Sequence, residues 1–327
     1  MNRARAETIL PPLVGGLLIL VALIGLIGTA IKNPQPHDIK VGLVAPPTAL
    51  QHFPPAFANG SGPFRFTIYA SEDAARAAID NRSVDGALIF GPGSDPRLIV
   101  AGAAGDAVVG VITGAFTNVF KAQDQTLTVE TVHPFASADP HGLILFFVVL
   151  AVVVSTLVAM AGFGLRSQSG FGLRLIMVVV YAVLAALVGM GMARWIAGDY
   201  GSGFRVATAL VALGSAAIGA VVAGSARLLG APGVVLAAII VVLLDLVSSG
   251  GPLGSNLLPD FYRWLAPGMP VAQLYSAMRS ALYFDNGGIA MPVAVLGAWL
   301  AGGVLLMALA ELIRSRSHPR VAPAPAR

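Results

Sequence analysis

Apolar residues occur in six long stretches of this chain, and one polar block separates the first stretch from the other five. Five of the stretches contain no charged residue, and the sixth, residues 228–259, is interrupted only by Asp245. About 20 apolar residues cross a bilayer as a helix, which pairs its own backbone polar groups inside lipid. The pattern therefore predicts an α-helical polytopic membrane protein with six transmembrane helices. The uncharged stretches are residues 8–31, 142–165, 175–193, 206–226 and 286–310.

The polar block has a different periodicity. Short runs rich in β-branched and aromatic residues predict strands, and Ser71 is a good N-cap for a helix that ends near Asp80. Asp106 is predicted to cap a longer helix with one apolar side. The order is ββαββαβ, so we predict a small mixed α/β extracytoplasmic domain between transmembrane helices 1 and 2. The strands are expected at residues 39–45, 64–70, 85–90, 97–101 and 126–132, and the apolar side consists of Val109, Ile112, Phe116, Val119 and Phe120.

This reading divides the chain into four parts. Residues 1–32 form the N-terminal tail and the first transmembrane helix, and residues 33–141 form the extracytoplasmic α/β domain. Residues 142–313 form a five-helix membrane bundle, with re-entrant outer helices at 250–285. Residues 314–327 form a cytoplasmic tail.

Composition supports a membrane protein. The chain is 56% hydrophobic and 11% charged, whereas soluble domains are about one quarter charged. It contains no cysteine, which excludes disulfides and thiolate metal sites. Between Asp38 and His141 there are ten acids and six bases, and the remainder has six acids and fourteen bases. The bases lie mainly in short loops and the tail, so they indicate membrane orientation and not nucleic-acid binding.

Positive charge prefers the cytoplasmic side of short loops. With the N-terminus inside, the opposite short loops hold four arginines, Arg194, Arg205, Arg263 and Arg279. We therefore predict a multi-pass plasma-membrane protein whose N-terminus and C-terminus are both cytoplasmic. The nine arginines then placed in the cytoplasm are Arg3, Arg5, Arg166, Arg174, Arg227, Arg314, Arg316, Arg320 and Arg327.

The first apolar stretch has a second interpretation, a cleaved signal peptide. Arg3 and Arg5 form a charged n-region, and Gly28-Thr29-Ala30 is a small-x-small site. The apolar run from Ile9 to Ile31 is longer than the roughly 7–15 residues of an h-region. We therefore favour an uncleaved anchor.

Asp245 is the one ionisable residue well inside a predicted span. A charge at that depth is costly and usually faces protein or water. A structural role, bonded to a neighbouring span through Ser248, Ser249 or Tyr181, is the first interpretation. A place in a substrate or proton path is the alternative.

The segment before the last span is too apolar for a solvated loop and too broken for a span. Pro259, Pro267 and Pro270 interrupt it, and Trp264 with its aromatic neighbours suits a membrane interface. We predict two short helices that dip back into the outer leaflet.

Two further patterns have alternatives. Ser215, Gly219 and Ala220-x-x-x-Gly224 allow close helix packing within the bundle, or else a subunit contact. The histidines of the polar block are expected to be ordinary surface residues, and a metal site is the alternative. They are His37, His52, His133 and His141, the last close to Asp139.

The segment before the last span contains the signature Ser249-Gly250-Gly251, Leu258-Pro259, Pro267, Met269-Pro270 and Arg279. In this signature the chain resembles the ABC type-2 transporter permeases, and most closely their phage infection protein (YhgE/Pip) and nitrosoguanidine-resistance branch. Asp139-Pro140-x-Gly142 is similar to the start of the second span in these families. So is the segment Ser71-Glu72-Asp73-Ala74-Ala75…Ile79…Val84-Asp85-Gly86-Ala87.

The resemblance implies a permease subunit of an exporter that moves a lipid-like or amphipathic substrate outward, as a homodimer or heterodimer in membrane lipid. No Gly-Lys pair occurs in the chain, so it has no P-loop, and a separate ATPase subunit would supply the energy. The candidates for the transport path or gate are Asp245, Ser249, Gly250, Gly251, Pro259, Pro267, Pro270 and Arg279. The candidates for an ATPase-coupling loop are Arg166, Ser167, Gln168 and Arg174.

The short cytoplasmic loop at 164–173 keeps a second function open, a non-transporting envelope receptor or assembly protein that binds through its outer domain. A membrane enzyme is not expected, because Asp245 has no second catalytic group at its depth. We predict no cofactor, no metal and no catalytic residue.

Overall fold

The computed structural model describes residues 14, 17, 20–30, 32–46, 62–91, 95–167 and 169–317. Within them the chain forms a small α/β domain that is docked on one end of a helical bundle. We call that end the domain end and the opposite end the far end.

The α/β domain has the predicted order of strands and helices. Its five-stranded sheet has the order β2-β1-β3-β4-β5, and only the β3–β4 pair is antiparallel. The strands are β1 (Ile39–Val44), β2 (Phe64–Ile68), β3 (Gly86–Ile89), β4 (Arg97–Ala101) and β5 (Thr128–Val132). Helix α2 (Glu72–Asp80) follows β2, and α3 (Asp106–Lys121) follows β4.

The predicted N-cap residue is correct for α2 and incorrect for α3. The Ser71 side chain accepts a hydrogen bond from the Ala74 N–H, so it caps α2 as predicted. For α3 the prediction is wrong in detail: Gly105 is the N-cap, with no side-chain cap bond, and Asp106 is already helical. The helix thus begins one residue earlier than the predicted cap position implies. Val108 is buried in the core, and Val109 is half-buried and packs against it.

In the described part of the chain, five helices of the bundle are long and apolar enough to cross a membrane. They correspond to the second to sixth predicted spans. The first predicted span is described only in part, as α1 (Leu20–Ala30). Three of the five are α4 (Leu143–Arg166), α5 (Phe171–Ala197) and α6 (Phe204–Leu229), and the last is α10 (Ala290–Ser317).

The fourth of these crossing helices, α7, is irregular. It begins as an α-helix at Ala231–Ala238, widens to a π-helix at Ile239–Asp245 and ends with the turn Leu246–Ser248. Single π-helical turns often occur at functional positions. This one ends at Asp245.

Helix α6 lies at the centre of the bundle, and its small residues face neighbouring helices of the same chain. A side chain at Gly219 would meet Met160 and Thr156 of α4 at 3.2 and 3.4 Å. The Ser215 hydroxyl is 2.8 Å from that of Thr156. The packing interpretation of this small-residue pattern is therefore confirmed.

The predicted re-entrant segment forms α8 (Asp260–Leu265) and α9 (Pro270–Tyr283), with 3-10 turns around α8. Helix α9 is 14 residues long and mostly buried, and it packs against α6, α10 and the π-helix of α7. Helix α8 contacts α1, where the Tyr262 hydroxyl donates a hydrogen bond of 3.1 Å to the Leu26 carbonyl. The prediction of two helices is confirmed, although one is short and the other is a full element of the bundle.

Candidate functional site

Asp245 joins α7 to the beginning of α9. Its carboxylate accepts hydrogen bonds from the backbone N–H groups of Val271, at 2.6 Å, and Ala272, at 3.0 Å. These groups lie in the first turn of α9, where backbone N–H groups have no partner inside the helix. Asp245 therefore acts as a buried cap that is supplied by a distant part of the chain.

The predicted bonding partners of Asp245 were wrong. Ser248 donates instead to the Leu244 carbonyl, and Ser249 donates to the Leu246 carbonyl. Both hydroxyls satisfy carbonyls of their own helix, as serines in apolar helices commonly do. A carboxylate that receives two backbone N–H bonds is held at one orientation, which favours the structural interpretation.

The Ser249-Gly250-Gly251 motif forms the tight turn that ends α7. Gly250 and Gly251 have φ angles of +68° and +46°, which favour glycine. A side chain at Gly250 would also lie 2.4 Å from the Gly254 carbonyl carbon. The Ser249 hydroxyl closes the turn by accepting a 3.2 Å hydrogen bond from the Gly251 N–H.

The three prolines of the segment lie at helix boundaries. Pro259 is the N-cap residue of α8, and Pro270 is the first residue of α9. Pro267 lies in the 3-10 turn between the two helices. Proline suits the start of a helix because its missing N–H would be unpaired there.

A polar cavity of about 230 Å³ lies between the α/β domain and the domain end of the bundle. We call it the junction cavity. Arg82 and Asp85 of the domain line one side, and Ser276 and Arg279 of α9 line another. Its other described lining residues are Ala104, Val108, Ser249, Gly254, Ser255, Asn256, Arg263, Ala266, Pro267, Ala272, Gln273 and Tyr275.

The two central arginines of the cavity dock the domain onto α9. Arg82 Nη1 donates to the Ser276 carbonyl at 2.8 Å and to the Ser280 hydroxyl at 2.6 Å. In the opposite direction, Arg279 Nη2 donates to the Ala103 carbonyl, which belongs to the domain. The interface is therefore held by arginines from both sides.

The cavity changes the titration of its domain residues. Burial raises the pKa of Asp85, although the Lys40 N–H, which donates to its carboxylate at 3.3 Å, and the charge of Arg279 act in the opposite direction. Burial, and then the nearby charge of Arg279, lower the pKa of Arg82 to about 9. Burial therefore disfavours the charged forms of these two side chains.

The structure brings some of the predicted path residues together and separates others. Ser249, Pro267 and Arg279 line the junction cavity, and Asp245 lies behind its wall, bonded to Ala272. Gly250 and Gly251 line a separate apolar cavity of about 200 Å³ next to α1. Pro259 lines neither.

Sequence reasoning missed Arg82 and Asp85 as site residues. Arg82 follows the end of α2 in a turn, and the pattern around it predicts only that turn. Its partners Ser276 and Ser280 are 194 and 198 residues away. No local signal identifies contacts over such a separation.

The predicted coupling loop lies at the far end, between α4 and α5. Arg174 is 1% exposed, and it donates hydrogen bonds of 2.8 and 2.9 Å to the carbonyls of Ser169 and Ser167. It therefore holds the loop together and presents no side chain to a partner. Arg166 is exposed and Ser167 half-buried, whereas Gln168 lies outside the described residues.

A second opening, of about 670 Å³, is a groove between α4 and α5. Its wall is apolar apart from the hydroxyls of Ser155 and Tyr181. Phe147 and Leu184 are more than half exposed in it. The described lining residues are Ile144, Phe147, Val148, Ala151, Val152, Ser155, Tyr181, Leu184, Ala185, Val188, Gly189, Met192 and Ile196.

The histidines of the domain lie apart from one another. His133 pairs with Asp80 at 2.7 Å, and His141 pairs with Asp106. His37 Nδ1 is 2.6 Å from the Gln35 carbonyl, and His52 lies outside the described residues. In the described part of the chain, no three histidine or acidic side chains come together as metal ligands would.

No protein-family model, curated protein or solved structure matches this chain. Inference about function therefore depends on the residues described above.

Proposed function

We propose that this chain is the membrane permease subunit of an ABC type-2-like exporter that moves a lipid-like or amphipathic substrate outward. The observation that carries the proposal is the apolar groove between α4 and α5. Its volume of about 670 Å³ is within the roughly 300–1,000 Å³ of ligand pockets. A groove with only two hydroxyls in its described wall suits an acyl chain better than a polar solute.

The proposal includes a membrane arrangement. The chain would cross the plasma membrane six times, with α1 as an uncleaved first span and both termini in the cytoplasm. The α/β domain would then lie outside, and the loop with Arg166 would face an ATPase subunit from another chain. The signature from Ser249 to Arg279 and the excess of arginines on the predicted inner side support this orientation.

The arrangement of α9 is compatible with such a role. Its first turn is bonded to Asp245 of a crossing helix, and its later turns are bonded to Arg82 of the domain. Because one rigid helix contacts both parts, a movement of α7 would be transmitted to the domain. An exporter requires a connection of this kind between its membrane helices and its exit.

The first experiment isolates the complex. The tagged protein is purified from its native membrane in mild detergent, and the co-purified chains are identified by mass spectrometry. We expect a nucleotide-binding subunit, and ATP-dependent movement of a fluorescent short-chain phospholipid after reconstitution of the complex in liposomes. If no such subunit is found and ATP has no effect on transport, the proposal is wrong.

A matched pair of variants tests the groove. Ala151→Trp fills the groove, whereas Val158→Trp places the same indole at an exposed position of α4 outside it. We expect the first variant to lose most of the phospholipid transport and the second to retain it. Equal transport by both variants would exclude the groove as the substrate path.

A further inference from the structure

The junction cavity has more positive than negative charge. Arg82, Arg263 and Arg279 line it, and among its described lining residues Asp85 is the only carboxylate. Arg263 is paired with two other carboxylates, those of Asp38 and Asp260. In the described part of the chain, no carboxylate lies within 4.0 Å of Arg82 or Arg279.

Among the residues that the structure describes, both arginines have only neutral hydrogen-bond partners. Arg82 donates to Ser276 and Ser280, and Arg279 donates to the Ala103 carbonyl. Arg279 is 8% exposed, and its buried Nε has no hydrogen-bond partner among the described residues. A guanidinium group has five N–H donors, and leaving a buried donor unpaired is costly. The contacts of Arg279 within the described residues therefore do not satisfy all of its hydrogen-bond donors.

Aromatic rings hold both guanidinium groups in place. The Arg82 guanidinium lies 5.3 Å from the centre of the Phe284 ring, and that of Arg279 lies 5.6 Å from the centre of the Tyr275 ring. Such contacts stabilise a cation and fix its plane. The donors are thus oriented before any ligand arrives, which lowers the entropy cost of binding.

Asp85 compensates the two charges only in part. It has no ion pair within 4.0 Å among the described residues, and burial raises its pKa. A carboxyl group that becomes protonated more readily can also donate a hydrogen bond to an oxyanion. The site therefore contains the positive charges of Arg82 and Arg279 and, among its described lining residues, only the carboxyl group of Asp85 to offset them.

We propose that the junction cavity binds an oxyanion of the phosphate class between the guanidinium groups of Arg82 and Arg279. A phosphate group has several acceptor oxygens, so it can receive the planar forks of two arginines at once. Free inorganic phosphate and the phosphodiester of a lipid headgroup present the same chemistry. This site goes beyond the proposed transport function, because binding here requires neither ATP nor the groove.

The test measures binding to the purified full-length chain in detergent, in a buffer without phosphate or sulfate. Isothermal titration is made with inorganic phosphate, with short-chain phosphatidylglycerol and with short-chain phosphatidylcholine. Binding of inorganic phosphate would assign the site to free phosphate. Binding of the lipids alone would assign it to a headgroup, and tighter binding of phosphatidylglycerol would follow from the positive charge.

Three variants locate the site. Arg279→Gln is expected to weaken binding roughly ten- to a hundredfold, because charged hydrogen bonds are lost. Asp85→Asn is expected to tighten it several-fold, since it removes the one negative charge and leaves both arginines in place. Arg194→Gln, which removes an exposed charge outside the cavity, should bind like the unchanged protein.

Two results would overturn the proposal. One is absence of binding for all three ligands to a protein that elutes as a single species. The other is binding that none of the cavity variants changes. The Asp85→Asn variant keeps the test decisive if Arg279→Gln does not fold, because its predicted effect has the opposite sign.

Discussion

The α/β domain and the bundle place their large apolar residues differently. In the domain, most of them are buried, as are Leu88 and Phe116. In the bundle, some are buried, such as Leu145, but many others lie on the surface. In α5, for example, Leu187 is 58% exposed, whereas Ala186 is 1% exposed.

The difference follows from the solvent of each region. Water drives apolar surface into the domain core, but lipid is as apolar as leucine and provides no such force between helices. The bundle therefore depends on close approach of small residues and on a few buried polar bonds. Three changes test this comparison.

The largest effect is expected at the buried polar bond between α7 and α9. Asp245→Ala leaves the N–H groups of Val271 and Ala272 buried without a partner, at roughly 1–3 kcal/mol each. We expect a lower melting temperature and a displaced start of α9. Trp299 reports on this once Trp195 and Trp264 are replaced by phenylalanine, because its indole N–H donates to the Gly268 carbonyl at 2.8 Å. Its emission is then measured during heating.

Asp245→Asn is the control for this prediction, since it keeps an acceptor oxygen and should lose less stability. If Asp245→Ala melts like the unchanged protein while transport is lost, the carboxylate acts in a substrate or proton path and not as a cap.

The second change compares one leucine in each region. Leu88→Ala empties a fully buried position of β3 and should cost the domain about 2–5 kcal/mol. Leu187→Ala removes the same atoms from an exposed position of α5 and should stay within about 0.5 kcal/mol. Hydrogen exchange of the β1 and β3 peptides, measured by mass spectrometry in the full chain, checks the first, and thermal melting checks the second.

Equal costs at the two positions would contradict the comparison. A large cost at Leu187 alone would mean that this face of α5 is covered by another protein chain and not by lipid.

The smallest effect is expected at neighbouring glycines of α10. A side chain at Gly303 would lie 2.6 Å from the Val221 nitrogen of α6, whereas one at Gly302 would have nothing within 4 Å. Gly303→Ala should therefore force the two helices apart and cost about 1–3 kcal/mol. Gly302→Ala should be neutral or stabilising, because alanine is the better helix former.

Thermal melting in detergent compares this pair. A Gly303→Ala variant that melts like the unchanged protein would contradict close packing between α6 and α10 at this position.

Sequence patterns predicted the helices and strands of this protein well, but they did not predict the tertiary contacts between them. The runs of β-branched and aromatic residues and the cap at Ser71 are local signals, so the order of the α/β domain could be predicted. The stretch that includes α9 was recognised as unusual from its prolines, but its burial was not expected. Nothing near Asp245 indicates that its partners are the N–H groups of Val271 and Ala272.

Of the two central arginines at the junction cavity, the sequence predicted only the one on α9 as a site residue. Arg279 was selected from the signature before the last span, whereas Arg82 was taken as part of a turn. The unpaired Nε of Arg279 and the cavity it lines are properties of the assembled domain and bundle. At the far end, Arg174 was selected only as a candidate for a coupling loop, and no sequence pattern indicated that it is buried against the carbonyls of its own loop.

The amino-acid order alone determined that this chain has long apolar helices and a polar block with alternating strands and helices. These properties follow from side chains a few residues apart, where hydrophobicity and backbone preference act directly. Only the tertiary structure decided that α9 connects the bundle to the domain and that two arginines meet there over a cavity. Those contacts join residues almost 200 positions apart in the chain, and their formation depends on how whole elements pack.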